Sequence, residues 1–203
     1  MSFLKIKLLI VSAIMLAASS AFASLGYDVT VDTSSLAGST GYLYFQYDSA
    51  VNQSGASTAI VQNFSTDGIL GATAPGAFSS SATNVTGTLP GAVSFSNGVS
   101  ETNDYNQAVT FGNTLYFNLL LPTSTSANAG STFSFWLAGD AAGMTPLKTS
   151  DGMLFDISLN ADGTASAVIA DAGTTATPTP IPAAAWLLGS GLMSLAGLRR
   201  KKQ

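Results

Sequence analysis

GYLYFQYD, residues 41–48, decides the fold class. Side chains alternate across an extended chain, so Leu43, Phe45 and Tyr47 line one face. Tyr42, Tyr44 and Gln46 line the other. Aromatic residues on that two-residue period are the signature of a β-strand with at least one buried face.

The same grammar recurs outward in both directions. YDVTVDT precedes it, and STAIVQNFS, GAVSFSN, NQAVTF, TLYFNLLLP, STFSFWLAG, MLFDISLN and ASAVIAD follow. Leu115, Phe117, Leu119 and Leu121 make the longest one-sided stripe, which predicts a central strand. Phe133, Phe135 and Leu137 form another stripe, with Trp136 on the opposite face. NADG, residues 160–163, is a turn that predicts a terminal hairpin between the last two strands. No helix of convincing length interrupts these runs. About nine short strands separated by Gly, Ser, Asn and Asp predict an all-β domain, an antiparallel β-sandwich of jelly-roll type. Residues 65–91 are rich in Gly, Ser and Thr with two prolines, and read as a long surface excursion with one weak strand at most.

Composition narrows the function. The 203 residues include no Cys and no His. Disulfides and thiol catalysis are therefore excluded, and so are the commonest general base and transition-metal ligand. Lys148 is the one cation between Ser24 and Pro180, against eleven acids, so that segment carries ten net negative charges. Such a surface repels phosphate backbones, which excludes nucleic acid as a partner. The other six cations, Lys5, Lys7, Arg199, Arg200, Lys201 and Lys202, all stand at the ends.

At the N-terminus, Lys5 and Lys7 precede an apolar run, residues 8–18, and then Ala21-Phe22-Ala23. A basic segment, an apolar segment and small residues two apart make a secretory signal peptide, residues 1–23, with cleavage set by Ala21 and Ala23. At the C-terminus an uncharged stretch, residues 181–198, is long enough for about 27 Å of helix, close to a hydrocarbon core of about 30 Å. Pro182 suits the first turn of that helix. The basic cluster Arg199, Arg200, Lys201 and Lys202 (residues 199–203 with Gln203) then acts as a cytoplasmic stop by the positive-inside rule. Residues 24–171 are expected to be the exported domain, and AGTTATPTP, residues 172–180, an extended Thr/Pro stalk.

Pro180, Ile181, Pro182 and Ala183, followed by AAWLLGSGL and the basic cluster, resemble the PEP-CTERM sorting signal of Gram-negative bacteria. The nearest form is the variant written Val-Pro-Leu-Pro-Ala, with Thr179 here in place of Val and Ile181 in place of Leu. No Glu lies between the prolines. The resemblance implies recognition by an exosortase, a membrane-embedded, cysteine-dependent processing enzyme that cuts near the proline motif. Prolines keep that segment extended and open to a protease. The expectation is an exported, non-enzymatic protein held transiently in the inner membrane, its domain in the periplasm, and then sorted to the cell surface or extracellular matrix. Residues 177–203 carry this reading and say nothing of what the domain does.

For the domain, the alternative expectation is a carbohydrate-binding module in an exopolysaccharide biofilm matrix, with Trp136 stacking on sugar. Tyr42, Tyr44, Tyr47 and Tyr105 would join the platform. The acids show no pairing with diagnostic spacing, and most adjoin Gly, Asn or Ser at turns, so a two-carboxylate hydrolase ranks last. No calcium-loop spacing occurs, and the sequence assigns neither a metal site nor a cofactor.

Overall fold

The computed structural model describes residues 25–50, 57–74, 84–98 and 102–179. The expected signal peptide, Pro180, the sorting helix and the basic tail lie outside the described residues. Among the described residues no helix is long and apolar enough to cross a membrane.

Among the described residues the domain is all-β, built as two antiparallel six-stranded sheets. Its strands are β1 (Leu25–Asp32), β2 (Thr40–Asp48), β3 (Ser57–Thr66), β4 (Ile69–Ala74), β5 (Val85–Gly87) and β6 (Val93–Asn97). They continue with β7 (Thr102–Thr110), β8 (Thr114–Leu121), β9 (Thr132–Ala138), β10 (Met153–Leu159), β11 (Ala165–Ile169) and β12 (Thr174–Pro178). Sheet A has the order β12-β1-β8-β3-β6-β5, and sheet B the order β11-β10-β9-β2-β7-β4. The first eight strands repeatedly cross from one sheet to the other, so most neighbours within a sheet are distant in sequence.

The alternation in GYLYFQYD places its two faces as the sequence predicts. Leu43, Phe45 and Tyr47 are buried in the core between the sheets, and Tyr44 lies in a separate small cluster with Trp136 and Ala138. Sheet A answers with Phe117 and Phe95. The Phe117 ring meets Phe45 edge-on at 5.3 Å and Phe135 at 5.3 Å, and Phe95 meets Phe133 at 5.9 Å. Edge-to-face packing favours such pairs by about 0.5–1.5 kcal/mol beyond the area they bury. The β8 stripe Leu115, Phe117, Leu119 and Leu121 is fully buried, and β8 is interior to its sheet.

Three expectations are corrected. The stalk, residues 172–180, is not free: β12 pairs antiparallel with β1, from Tyr27 opposite Pro178 to Val31 opposite Thr174. A threonine-rich edge strand has one neighbour and little apolar burial to advertise, and Pro178 is tolerated there because an edge needs no N–H on its open side. The domain therefore runs past residue 171. For the same reason NADG closes a real hairpin, β10 to β11, that is not the last element. Gly163 within it has φ +89, a conformation that favours glycine. The excursion at residues 65–91 contributes two strands, β4 paired with β7 and β5 paired with β6.

Two polar devices lock the ends. Lys148 Nζ lies 3.2 Å from Asp171 Oδ2 and also donates to the carbonyl of Asp32, tying the entry of β12 to the end of β1. Asp67, in the turn after β3, accepts from the N–H of Asn113 at 3.0 Å, the N–H of Thr114 at 2.9 Å and the Asn113 side chain at 2.7 Å. Gly112 permits that approach, since a Cβ there would meet Asp67 Oδ1 at 2.2 Å.

These carboxylates set the acid response. Hydrogen bonds from the Asn113 and Thr114 backbone hold Asp67 down to about 2. Asp32, Asp140 and Asp162 are lowered too, each first by a side-chain bond, from Ser34, Thr145 and Thr164 respectively. A folded value below the unfolded one means the stabilisation is complete above about pH 4 and fades as pH falls toward the folded values. The melting temperature is expected to drop steadily from about pH 4 to pH 2, and Asp67→Asn should flatten that slope. A wild-type melt unchanged across this range would contradict the assignment.

Candidate functional site

The outer face of sheet B gathers side chains from four strands into a strip with an aromatic end and an acidic end. At the aromatic end β2 and β9 place Tyr44 directly opposite Trp136. The rings stack with centroids 4.8 Å apart and an interplanar angle of 11°. A connection between β9 and β10, residues 139–152, folds over them. Asp140 Oδ1 accepts from the N–H of Ala142 at 2.8 Å and of Met144 at 3.2 Å, an arrangement that shapes the turn. Tyr44 donates its hydroxyl hydrogen to the carbonyl of Ala141. Asn106 Nδ2 donates to the Tyr44 hydroxyl oxygen at 2.8 Å and to the same carbonyl at 2.9 Å. Burial pushes the Tyr44 hydroxyl above its ordinary value, with the charges of Asp104 and Asp140 adding to the rise.

This cover decides the geometry of the aromatics. Trp136 is 7% exposed and its face is taken by Tyr44, while Tyr47 and Tyr105 point the other way, into the core. The expected sugar-stacking platform is thus not one surface. Only Tyr42 of that group is half-buried, packed at the rim of the cluster.

The acidic end follows from register. Asp104 on β7 stands opposite Gln46 on β2, Gln46 opposite Ser134 on β9, and Ser134 opposite Asp156 on β10. One pleat along, Asp48 stands opposite Thr102 and Thr132. Asp48 and Asp104 are therefore diagonal neighbours on one face, at a spacing of about 7–8 Å between backbone positions. Burial raises the Asp48 carboxyl above the usual carboxylate range, and the charges of Asp104 and Asp156 push the same way. Neither Asp104 oxygen has a hydrogen-bond partner, nor has Oδ1 of Asp48 or of Asp156. Among the described residues no three acidic side chains converge tightly enough to form a three-carboxylate metal cluster.

Comparison with protein-family models, curated proteins and solved structures found no match. What the strip can do rests on its own chemistry.

Two other polar groups bear on function. On the outer face of sheet A, Asn118 Nδ2 donates to Asp28 Oδ1 and to the Tyr116 hydroxyl at 2.8 Å, and Asn63 Nδ2 donates to Asn118 Oδ1 at 2.7 Å. These residues spend their hydrogen bonds on each other. A pocket of about 300 Å³ lies at the other end of sheet B, between Tyr42, Ile69, Gly71 and Thr110. It is lined by no carboxylate, so the acid pair that a hydrolase needs is not found there.

The sorting residues Pro180, Ile181, Pro182 and Ala183, the cluster Arg199, Arg200, Lys201 and Lys202, and the cleavage residues Ala21 and Ala23 lie outside the described residues. The fold bears on them only through its two ends. Leu25 opens β1, and the N–H of Thr179 donates to the carbonyl of Gly26 at 2.8 Å.

Proposed function

We propose that this chain is an exported, non-enzymatic β-sandwich protein, held in the inner membrane by its C-terminal segment and released or re-attached by an exosortase at the cell surface or in the extracellular matrix. The observation that carries the reading is the segregation of charge: an uncharged stretch, residues 181–198, that abuts Arg199, Arg200, Lys201 and Lys202 and follows the Pro180–Ala183 motif. A helix with four cations at one end enters a bilayer in one direction, leaving those cations in the cytoplasm. The domain order supports it. Ladder pairing starts two residues after Ala23 and the last ladder-adjacent bond, at Thr179, immediately precedes Pro180. The folded unit thus fills the space between the two processing sites with no stalk to spare.

The sandwich itself we read as jelly-roll type. The order β1-β8-β3-β6 in one sheet against β2-β7-β4 in the other supports that topology. In the matrix the protein serves as a structural component among polysaccharide chains. Its surface suits that setting: the described domain carries one cation, already paired with Asp171, and a polar, acidic exterior.

The test compares the mature protein in a producing strain with and without its exosortase. With the enzyme, the product should lack the residues beyond the proline motif and leave the inner membrane; without it, the full anchored form should accumulate there. Equal mass and equal location in the two strains would reject the proposal.

A further inference from the structure

We propose that the acidic end of the sheet B strip is a binding site for a hard divalent cation, calcium, held between Asp104 and Asp48. The reading is independent of how the protein is sorted.

Asp104 carries the argument. It is 6% exposed, yet neither carboxylate oxygen has a hydrogen-bond partner. A buried carboxylate without donors costs several kcal/mol, so native structures pair it, neutralise it or give it a metal. The alternation of β7 aims Asp104 away from the core, since Tyr105 beside it faces inward against Phe45. On that outer face its diagonal neighbour is Asp48, whose Oδ1 is also buried and unpartnered. Asp156 adds a third unpartnered oxygen across Ser134.

Among the described residues no positive side chain is at hand to compensate. Lys148, the one Lys or Arg between residues 24 and 180, is committed to Asp171 and the Asp32 carbonyl. Three carboxylates on one face with no cation among them make a strong local negative field.

The donors are all oxygen, from carboxylates, with the Gln46 amide between Asp104 and Ser134. With neither His nor Cys in the chain, a soft or borderline metal has no preferred ligand here. Calcium tolerates irregular oxygen shells completed by water, whereas magnesium demands a near-octahedral set that strand register does not supply. Two carboxylates at the centre, with Asp156 outside, match the modest affinity of extracellular calcium sites, on the order of 10⁻⁴–10⁻³ M.

The experiment titrates the full chain, purified in detergent and stripped with chelator, with calcium chloride alone. Calorimetry should show one saturable site per chain, and about 10 mM calcium should raise the melting temperature by about 3–10 °C. Asp104→Asn and Asp48→Asn should each weaken binding by about tenfold or more, while Asp162→Asn, in the β10–β11 hairpin, should leave it unchanged. Terbium offers a second readout that reports only on folded protein. Its emission should be sensitised by the neighbouring Tyr44–Trp136 stack and lost in Asp104→Asn. Absence of both heat and a melting shift in the wild type would overturn the proposal, as would equal binding by Asp104→Asn. So would an Asp104→Asn variant that melts above the wild type while calcium moves neither.

Discussion

Phe117→Ala should lower the stability of the sandwich by about 3–5 kcal/mol, a large share of the 5–15 kcal/mol typical of a whole domain. Phe117 is fully buried on the central strand β8, and its ring touches rings from both sheets. Phe45 and Phe135 lie at 5.3 Å, Phe155 at 6.3 Å, and Phe64, in its own sheet, at 6.5 Å. Truncation removes transfer energy and leaves a cavity that Phe45, Phe135 and Phe155 do not readily fill, because each of those rings is held by other rings. A thermal melt followed by circular dichroism should show a midpoint about 10–15 °C lower. Tyr116→Ala, one residue away but facing outward, should cost less than about 1 kcal/mol. Similar losses from both would mean that β8 is not in the register described.

Lys148→Ala should cost about 2–4 kcal/mol and act locally. The side chains of Lys148 and Asp171 are 9% and 12% exposed, so removing the ammonium leaves a largely buried carboxylate without its partner. Asp171 also accepts from the Thr174 hydroxyl at 2.7 Å, and the Asp32 N–H donates to the Gly173 carbonyl at 2.8 Å. At the junction where β12 joins β1, one cation thus works beside these two bonds and the ladder. Amide exchange should accelerate across β12 while the central β8 keeps its protection. In the double variant Lys148→Ala with Asp171→Ala, the loss should be smaller than the sum of the singles, since no charge is left stranded. Additive losses would show that the pair contributes nothing as a pair.

Strands that must bury a face were legible in the sequence; of the four edge strands only β11, announced by the NADG turn before it, was. β2, β8 and β9 alternate bulky apolar residues with others because each is flanked on both sides and packs on the opposite sheet. β4, β5 and β12 are edges rich in Gly, Thr and Ala; β4 and β12 pair with neighbours far along the chain, and β5 is only three residues long. β7 shows the intermediate case. Its polar start, from Thr102 through Asn106, hides a strand whose Asn103 and Gln107 are buried and hydrogen-bonded in the interior.

The acidic strip escaped sequence reading for a related reason. Asp48, Asp104 and Asp156 have no common spacing, and only the order β10-β9-β2-β7 brings them to one face. Trp136 lies on the face opposite Phe133, Phe135 and Leu137, as the alternation predicts, yet nothing local announces that residues 139–146 return to cover it.

The bond between Thr179 and Gly26 means that the sandwich starts and finishes at one spot on its rim. The first and last strands, side by side at the spacing of about 4.8 Å that separates neighbouring strands, match the arms of an ordinary hairpin. Another protein's surface turn can accept this module as an insert without spreading its own strands, and its two exits remain clamped together by a ladder that the host does not have to provide.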